Sequence, residues 1–214
     1  MKKGLFITFE GLDGAGKSTQ IQKVKEIFEQ KGFEVVLTRE PGGTDISEKI
    51  RKIILDNDND EMSFVTEALL YAASRAQHVQ QKIKPALEDG KVVVCDRYVH
   101  SSIAYQGYGR QLGAEKVMEI NSHAIDDIMP DISFFILLPS DKALERLKNS
   151  NRELDRLEVE EIDFFLRIEN GYNCIAEEYD NIIKIDASKS VNEIAHIIYD
   201  KIFVEIEKWK NSKG

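Results

Sequence analysis

The sequence predicts an α/β fold in which a five-stranded parallel sheet is flanked by helices. Three observations carry that prediction. Five short runs rich in apolar and β-branched residues recur along the chain, at 5–9, 35–38, 92–95, 133–138 and 182–185. They are apolar on both faces instead of alternating, the pattern of strands buried between two layers. Longer stretches with helical spacing separate them, as crossover helices between parallel strands require. At 214 residues, 42% hydrophobic and 31% charged, the chain suits one domain spanning 1–214.

The elements follow in order. After the first run, Ile21, Val24, Ile27 and Phe28 form a helical stripe that stops at Gly32, a residue suited to the C′ position. The second run leads to a helix carrying Arg51. Val65, Ala68, Leu69, Ala72, Ala76 and Val79 form a second stripe, whose small residues permit close packing. Ile162, Phe165, Leu166, Tyr172 and Tyr179 mark a long helix, and Ile194, Ile198, Ile202 and Trp209 mark the last.

Several classes are disfavoured. The formal net charge is −9, which argues against a nucleic-acid or anionic-membrane partner. No stretch approaches the roughly 20 apolar residues that span a bilayer, and no signal-type apolar run opens the chain. Cys95 and Cys174 lack a second thiol or imidazole at metal-ligand spacing, so they read as free thiols in a cytoplasmic protein. The four histidines, His78, His100, His123 and His196, read as structural or solvent-facing.

Eleven of the thirteen glycines precede residue 114, several of them just after an expected strand. Ligands of open α/β sheets bind at those carboxyl ends. The segment Gly11-Leu12-Asp13-Gly14-Ala15-Gly16-Lys17-Ser18-Thr19 contains G-x-x-x-x-G-K-[ST] between a strand and a helix, the context the motif needs. Its backbone N–H groups and the helix N-terminus suit phosphate oxygens. Lys17 then reaches the β- and γ-phosphates of a purine triphosphate, and the Ser18 hydroxyl ligates Mg²⁺. No N-K-x-D string is present to read guanine, which disfavours a GTP switch. A small-molecule kinase remains the better reading; a non-catalytic nucleotide-binding regulator is the alternative from another class.

Only nine of the 29 basic residues are arginine, and several of those sit where strands end. Arg39 follows the second strand, Arg51 lies on the next helix, and Asp96-Arg97-Tyr98 follows the third. Tyr71 and Arg75 share a helix face at i,i+4 spacing. Together they suggest a second phosphate pocket beside the first, since guanidinium suits bidentate anion contacts.

The segments 39–44, 71–75, 96–106 and 153–158 resemble, in order, the signature segments of the thymidylate kinases, and the likeness extends from Leu5 to the last helix. The resemblance implies a three-layer P-loop nucleoside-monophosphate-kinase fold with a short lid near 147–157. It implies transfer of the ATP γ-phosphate to dTMP, giving dTDP, in a homodimer. By position, Arg51 and Arg97 would hold the dTMP phosphate with Arg39 nearby, and Tyr71 would stack on thymine. Arg75, Ser102 and Gln106 would meet the base edge, and Tyr105 would exclude a 2′-hydroxyl. Asp13 and Asp96 would organise phosphates and Mg²⁺. The phosphate loop holds no arginine at its variable positions, so Arg152 or Arg156 of the lid would neutralise the transferred phosphoryl. Many members carry phenylalanine where this chain has Tyr71, whose hydroxyl needs a partner.

Overall fold

A computed structural model describes residues 4–149 and 153–211. Five strands, β1 (Leu5–Glu10), β2 (Val35–Arg39), β3 (Val92–Asp96), β4 (Ile132–Leu137) and β5 (Ile182–Asp186), form one parallel sheet in the order β2-β3-β1-β4-β5. Each expected strand is present, with ends differing by one residue at most. The order puts β1 and β3 side by side in the middle, in the register Phe9↔Asp96, so their carboxyl ends leave the sheet together.

The two faces of the sheet have separate cores. Leu5, Ile7 and Phe9 of β1 pack with Val24 and Phe28 of α1 (Lys17–Gln30). The intervening Phe6 joins Val93 and Cys95 of β3 with Val79, Ile83 and Leu87 on the opposite side. Successive strand residues therefore feed different layers, which is why these strands are apolar throughout. The edge strand β2 is only half-buried. Gly32 closes α1 with its N–H on the Glu29 carbonyl at 2.9 Å, as its position suggested.

Further helices are α2 (Asp45–Leu55), α3 (Phe64–His78), α4 (Lys84–Glu88), α5 (Val99–Ser102), α6 (Ala114–Ile125), α7 (Ser140–Lys148), α8 (Ile162–Glu178) and α9 (Val191–Asn211). Wide i→i+5 turns continue α3 into α4 over Val79–Ile83 and extend α5 over Ile103–Gly109. Ser63 caps α3, its hydroxyl accepting from the Thr66 N–H at 3.2 Å.

The α3 stripe departs from expectation. Ala68, Ala72 and Val79 are buried, but Val65 and Leu69 face solvent. The buried face of α3 instead carries Glu67, Ser74, Arg75 and His78. Apolar periodicity could not see this, because polar side chains are read as solvent-facing until their partners are known. Leu166 of α8 is also exposed, whereas Ile194, Ile198, Ile202 and Trp209 of α9 are buried as expected.

Candidate active site

The phosphate loop runs from the end of β1 into α1. Gly11 has φ 131°, and a Cβ there would lie 2.2 Å from the Ile136 carbonyl oxygen, so no side chain fits where the loop crosses β4. Gly16 precedes α1 with no side-chain cap, leaving the N–H groups of the first turn available to an anion. Ser18 and Thr19 are exposed in that turn. Lys17 is buried, and its Nζ donates to the carbonyls of Gly11 (3.1 Å) and Leu12 (3.0 Å), 3.8 Å from Asp13 Oδ1. Burial first, and then the Arg97 charge, push the Lys17 ammonium below its ordinary pKa. Arg146 of α7 donates to the Gly14 carbonyl at 2.8 Å, bringing a guanidinium to the loop from a helix not considered in the sequence.

Beside the loop opens a cleft bordered by Asp13, Arg51, Tyr71, Arg97, Tyr105 and Gln106, and also by Arg75 and Ser102. Arg97 joins the two regions. Its Nη1 donates to the Gly11 carbonyl (2.8 Å), and its Nη2 lies 2.8 Å from Asp13 Oδ2. Arg97 is in the left-handed region at φ 67°, and its own N–H donates to the Phe9 carbonyl at 2.8 Å. Arg51 Nη1 donates to the Pro41 carbonyl at 2.8 Å. Burial and neighbouring carboxylates keep the Tyr71 hydroxyl protonated well above its usual range. The Arg97 guanidinium carbon sits 5.1 Å from the Tyr105 ring centre, and the Tyr105 hydroxyl has no hydrogen-bond partner among the described residues.

Three buried acids support this lining. Glu40 accepts from Arg75 Nε at 2.7 Å and lies 2.9 Å from His78 Nδ1, while His78 Nε2 is 2.6 Å from Thr38 Oγ1. Arg75 also donates to Ser102 Oγ (3.1 Å) and to Asn121 Oδ1. Glu67 accepts from Gln106 Nε2 (2.9 Å), Arg110 Nη2 (3.2 Å) and Arg156 Nη2 (2.6 Å). Glu10 accepts from the Tyr98 N–H (2.9 Å) and from the Ser101 hydroxyl, and burial pushes its carboxyl up to about 7. Next to it, His100 is held neutral, its pKa pushed down to about 3 by burial and then by Arg75.

Most of the sequence-derived residues therefore converge: Asp13, Arg51, Tyr71, Arg75, Arg97, Ser102, Tyr105 and Gln106 all border one cleft. Three arginines need correction or qualification. Arg39 is 52% exposed and pairs with Glu48 at 3.0 Å, away from the cleft lining, because β2 is an edge strand whose end meets solvent. Arg156 does not reach the phosphate loop; its Nε donates to the Ile54 carbonyl at 2.9 Å and its Nη2 to Glu67, at the base of α3. Arg152 lies outside the described residues. Asp96 sits near Lys17 instead of in the cleft wall, with Oδ1 buried and unpartnered among the described residues.

Sequence reasoning missed Glu10, Glu40, Glu67, Arg110, Asn121, Arg146 and Tyr172. Glu40 was visible as part of the segment 39–44 and His78 as i+3 from Arg75, but neither had an evident partner. Arg110 and Arg146 were two of the three arginines left unassigned. Tyr172 stands in the sequence only as part of the stripe that marks α8, yet its hydroxyl is 2.9 Å from Ser101 Oγ and 3.3 Å from Arg97 Nη1.

Comparison with known proteins agrees with this geometry. Residues 9–198 match the family model described as thymidylate kinase. The chain is 48% identical over 207 residues to a thymidylate kinase of Geobacillus sp. (strain WCH70), covering 96% of this chain and 99% of that one. It is 44% identical over 209 residues to one of Clostridium novyi (strain NT), with 97% and 98% covered. A thymidylate kinase of Finegoldia magna is 51% identical over 190 residues, with 89% and 93% covered. With a phosphate loop and an arginine-lined cleft joined through Arg97, and with matches along nearly its whole length, the chain belongs to the thymidylate kinase family.

Proposed function

We infer that this chain transfers the γ-phosphoryl group of ATP to dTMP, giving dTDP and ADP and feeding dTTP synthesis. One observation carries the reading: a single guanidinium, that of Arg97, contacts the phosphate loop at Gly11 and Asp13 while bordering the second cleft. Donor and acceptor phosphates held on either side of that group meet without a covalent enzyme intermediate, and positioning does most of the work.

Residues 11–19 hold the ATP phosphates. Lys17, which now donates to two loop carbonyls, exchanges those for β- and γ-phosphate oxygens. Arg51 and Arg97 hold the acceptor phosphate, while Arg39 is paired with Glu48 outside the cleft lining. Tyr71 stacks on thymine, Arg75, Ser102 and Gln106 meet its polar edge, and Tyr105 fills the space a 2′-hydroxyl would take. Mg²⁺ fits the available donors: Asp96 presents a buried oxygen with no partner among the described residues, and Ser18 has an exposed hydroxyl. When bound, the ion would neutralise charge on the transferred group. Asp13 keeps Arg97 and Lys17 aligned in the meantime.

The segment around 147–157 serves as the lid, and of its two arginines Arg152 is the one assigned to neutralise the transferred phosphoryl, since Arg156 is engaged by Glu67. The lid also excludes water, which competes with dTMP as acceptor. A homodimer belongs to the same proposal. Ala68 and Ala72 are buried within the protomer, so the large apolar side chains that α3 exposes for a partner are Phe64, Val65 and Leu69. A cytoplasmic location agrees with the two free thiols, Cys95 and Cys174.

The test is a coupled ADP-release assay with ATP and Mg²⁺ across dTMP, dUMP, dCMP, AMP and thymidine. Acceptor-dependent turnover greatest with dTMP is the expected result. ATP binding with no acceptor-dependent ADP release would overturn the reading in favour of a nucleotide-binding regulator.

A further inference from the structure

Gln106 meets the base edge in the proposed reaction, and the structure shows what fixes the orientation of its amide. The residue borders the cleft and is itself buried, and its two amide atoms have different surroundings. Nε2 donates to Glu67 Oε1 at 2.9 Å, whereas Oε1 is buried and has no hydrogen-bond partner among the described residues. A buried carbonyl without a donor is costly unless a ligand supplies one.

Glu67 imposes this orientation. It is fully buried on the inner face of α3, and both its oxygens are occupied as acceptors. Arg110 Nε lies 3.3 Å from each oxygen, Arg110 Nη2 donates to Oε2 at 3.2 Å, and Arg156 Nη2 donates to the same oxygen at 2.6 Å. Arg110 is held in turn between the rings of Phe64 and Phe164, 4.7 and 4.5 Å from their centres, and pairs with Glu160. A carboxylate in this setting accepts and does not donate. Turning the Gln106 amide over would set its carbonyl against Glu67 with no proton between them.

We propose that Glu67 is a specificity-determining positioning residue, which fixes the Gln106 amide so that its carbonyl, and not its N–H group, is left to meet a base, and the site selects a pyrimidine with an N3–H donor. The proposal rests on the reading of the cleft as a nucleoside-monophosphate acceptor site. Thymine and uracil carry a proton on N3; cytosine carries a lone pair there and cannot satisfy the carbonyl. A free amide could turn to suit either class. An amide fixed by Glu67 suits only the first, and a site that leaves its own polar group unpaired rejects the wrong ligand strongly. The 5-methyl group plays no part in this selection, so dTMP and dUMP are treated alike by it.

The experiment measures kcat and KM for dTMP, dUMP and dCMP with the full chain, ATP and Mg²⁺, and dissociation constants for the same nucleotides by calorimetry. In Glu67→Gln, whose amide can accept or donate, the preference for dTMP over dCMP in KM and Kd should fall roughly tenfold or more. The dTMP-to-dUMP ratio should stay within about twofold. Glu67→Asp should restore at least part of the dCMP discrimination. A general structural defect would depress all three substrates together and leave both ratios in place; that outcome overturns the proposal. Should Glu67→Gln not fold, Gln106→Leu decides the matter, because it removes the carbonyl at similar volume. Loss of the dTMP-over-dCMP preference supports the proposal, and an unchanged ratio overturns it. Wild-type chain with no activity on dTMP would instead refute the proposed function itself, a separate result.

Discussion

Arg97 Nη2 lies 2.8 Å from Asp13 Oδ2, so the arginine bordering the second cleft is ion-paired to a residue of the phosphate loop. Replacing this arginine by alanine removes the pair, the contact to the Gly11 carbonyl and the proposed acceptor-phosphate contact. Arg97→Ala is expected to cost about 2–5 kcal/mol in kcat/KM for dTMP, with a smaller change in the ATP KM. Steady-state kinetics with each substrate varied in turn would check this. Because Arg97 has φ 67°, Arg97→Gly should be about 1 kcal/mol more stable than Arg97→Ala, measurable by urea unfolding of the two variants.

Lys17 is the cation placed within the loop itself, with Nζ on two backbone carbonyls. Lys17→Ala should lower kcat by at least about 10²-fold, as loss of a positioned electrostatic group does. Calorimetric dTMP affinity should change by less than about threefold, since the cleft lining does not include this side chain. Full turnover in the variant would refute the phosphoryl-transfer role.

Glu10 links stability to pH. Its carboxyl keeps a proton in the fold up to about pH 7, whereas an ordinary glutamate releases it near 4.5. Between those values the folded state binds more protons than the unfolded chain. This group's contribution is therefore present at low pH and is lost as pH rises through about 7. Glu10→Gln titrates no proton there. Relative to wild type it should gain about 1–3 kcal/mol of unfolding free energy between pH 5 and pH 8. Denaturant melts at both pH values give the comparison, and parallel behaviour would contradict the raised carboxyl.

Arg156 should behave as an acceptor-side residue. Its guanidinium serves Glu67 and the Ile54 carbonyl, so Arg156→Ala leaves a buried carboxylate with one guanidinium fewer. A loss of about 1–3 kcal/mol in unfolding free energy is expected, together with a rise in dTMP KM. The ATP KM should stay within about twofold. A selective ATP effect would return Arg156 to the phosphoryl side.

The contrast between Arg156 and the phosphate loop shows what a sequence can and cannot disclose here. Residues 11–18 were legible because the motif is local: glycines, lysine and serine act within a single strand–turn–helix, and spacing alone describes them. The strands were legible because burial on two faces leaves an unbroken apolar run. Arg39, Arg51, Arg97 and Arg156 look alike in the sequence, yet each answers to a different distant group: Glu48, the Pro41 carbonyl, Asp13 and Glu67. Which acid an arginine chooses depends on three-dimensional proximity. Glu67 lies 39 residues from Gln106 and 89 from Arg156, beyond any local pattern. The exposed Val65 and Leu69 show the converse, where an apolar periodicity was real but its buried neighbours were polar.

The central register of the sheet has a mechanical consequence. The loop that carries Lys17 leaves β1, the arginine that borders the cleft leaves β3, and Phe9 is paired with Asp96 and bonded to the Arg97 N–H. Both reactant-holding groups are thus mounted on adjacent inner strands, flanked on either side by another. Breathing of the outer strands β2 and β5 would alter the periphery while leaving the separation between the two mounts unchanged. Alignment of donor and acceptor is consequently a property of the sheet's middle, and it is protected from looseness at its margins.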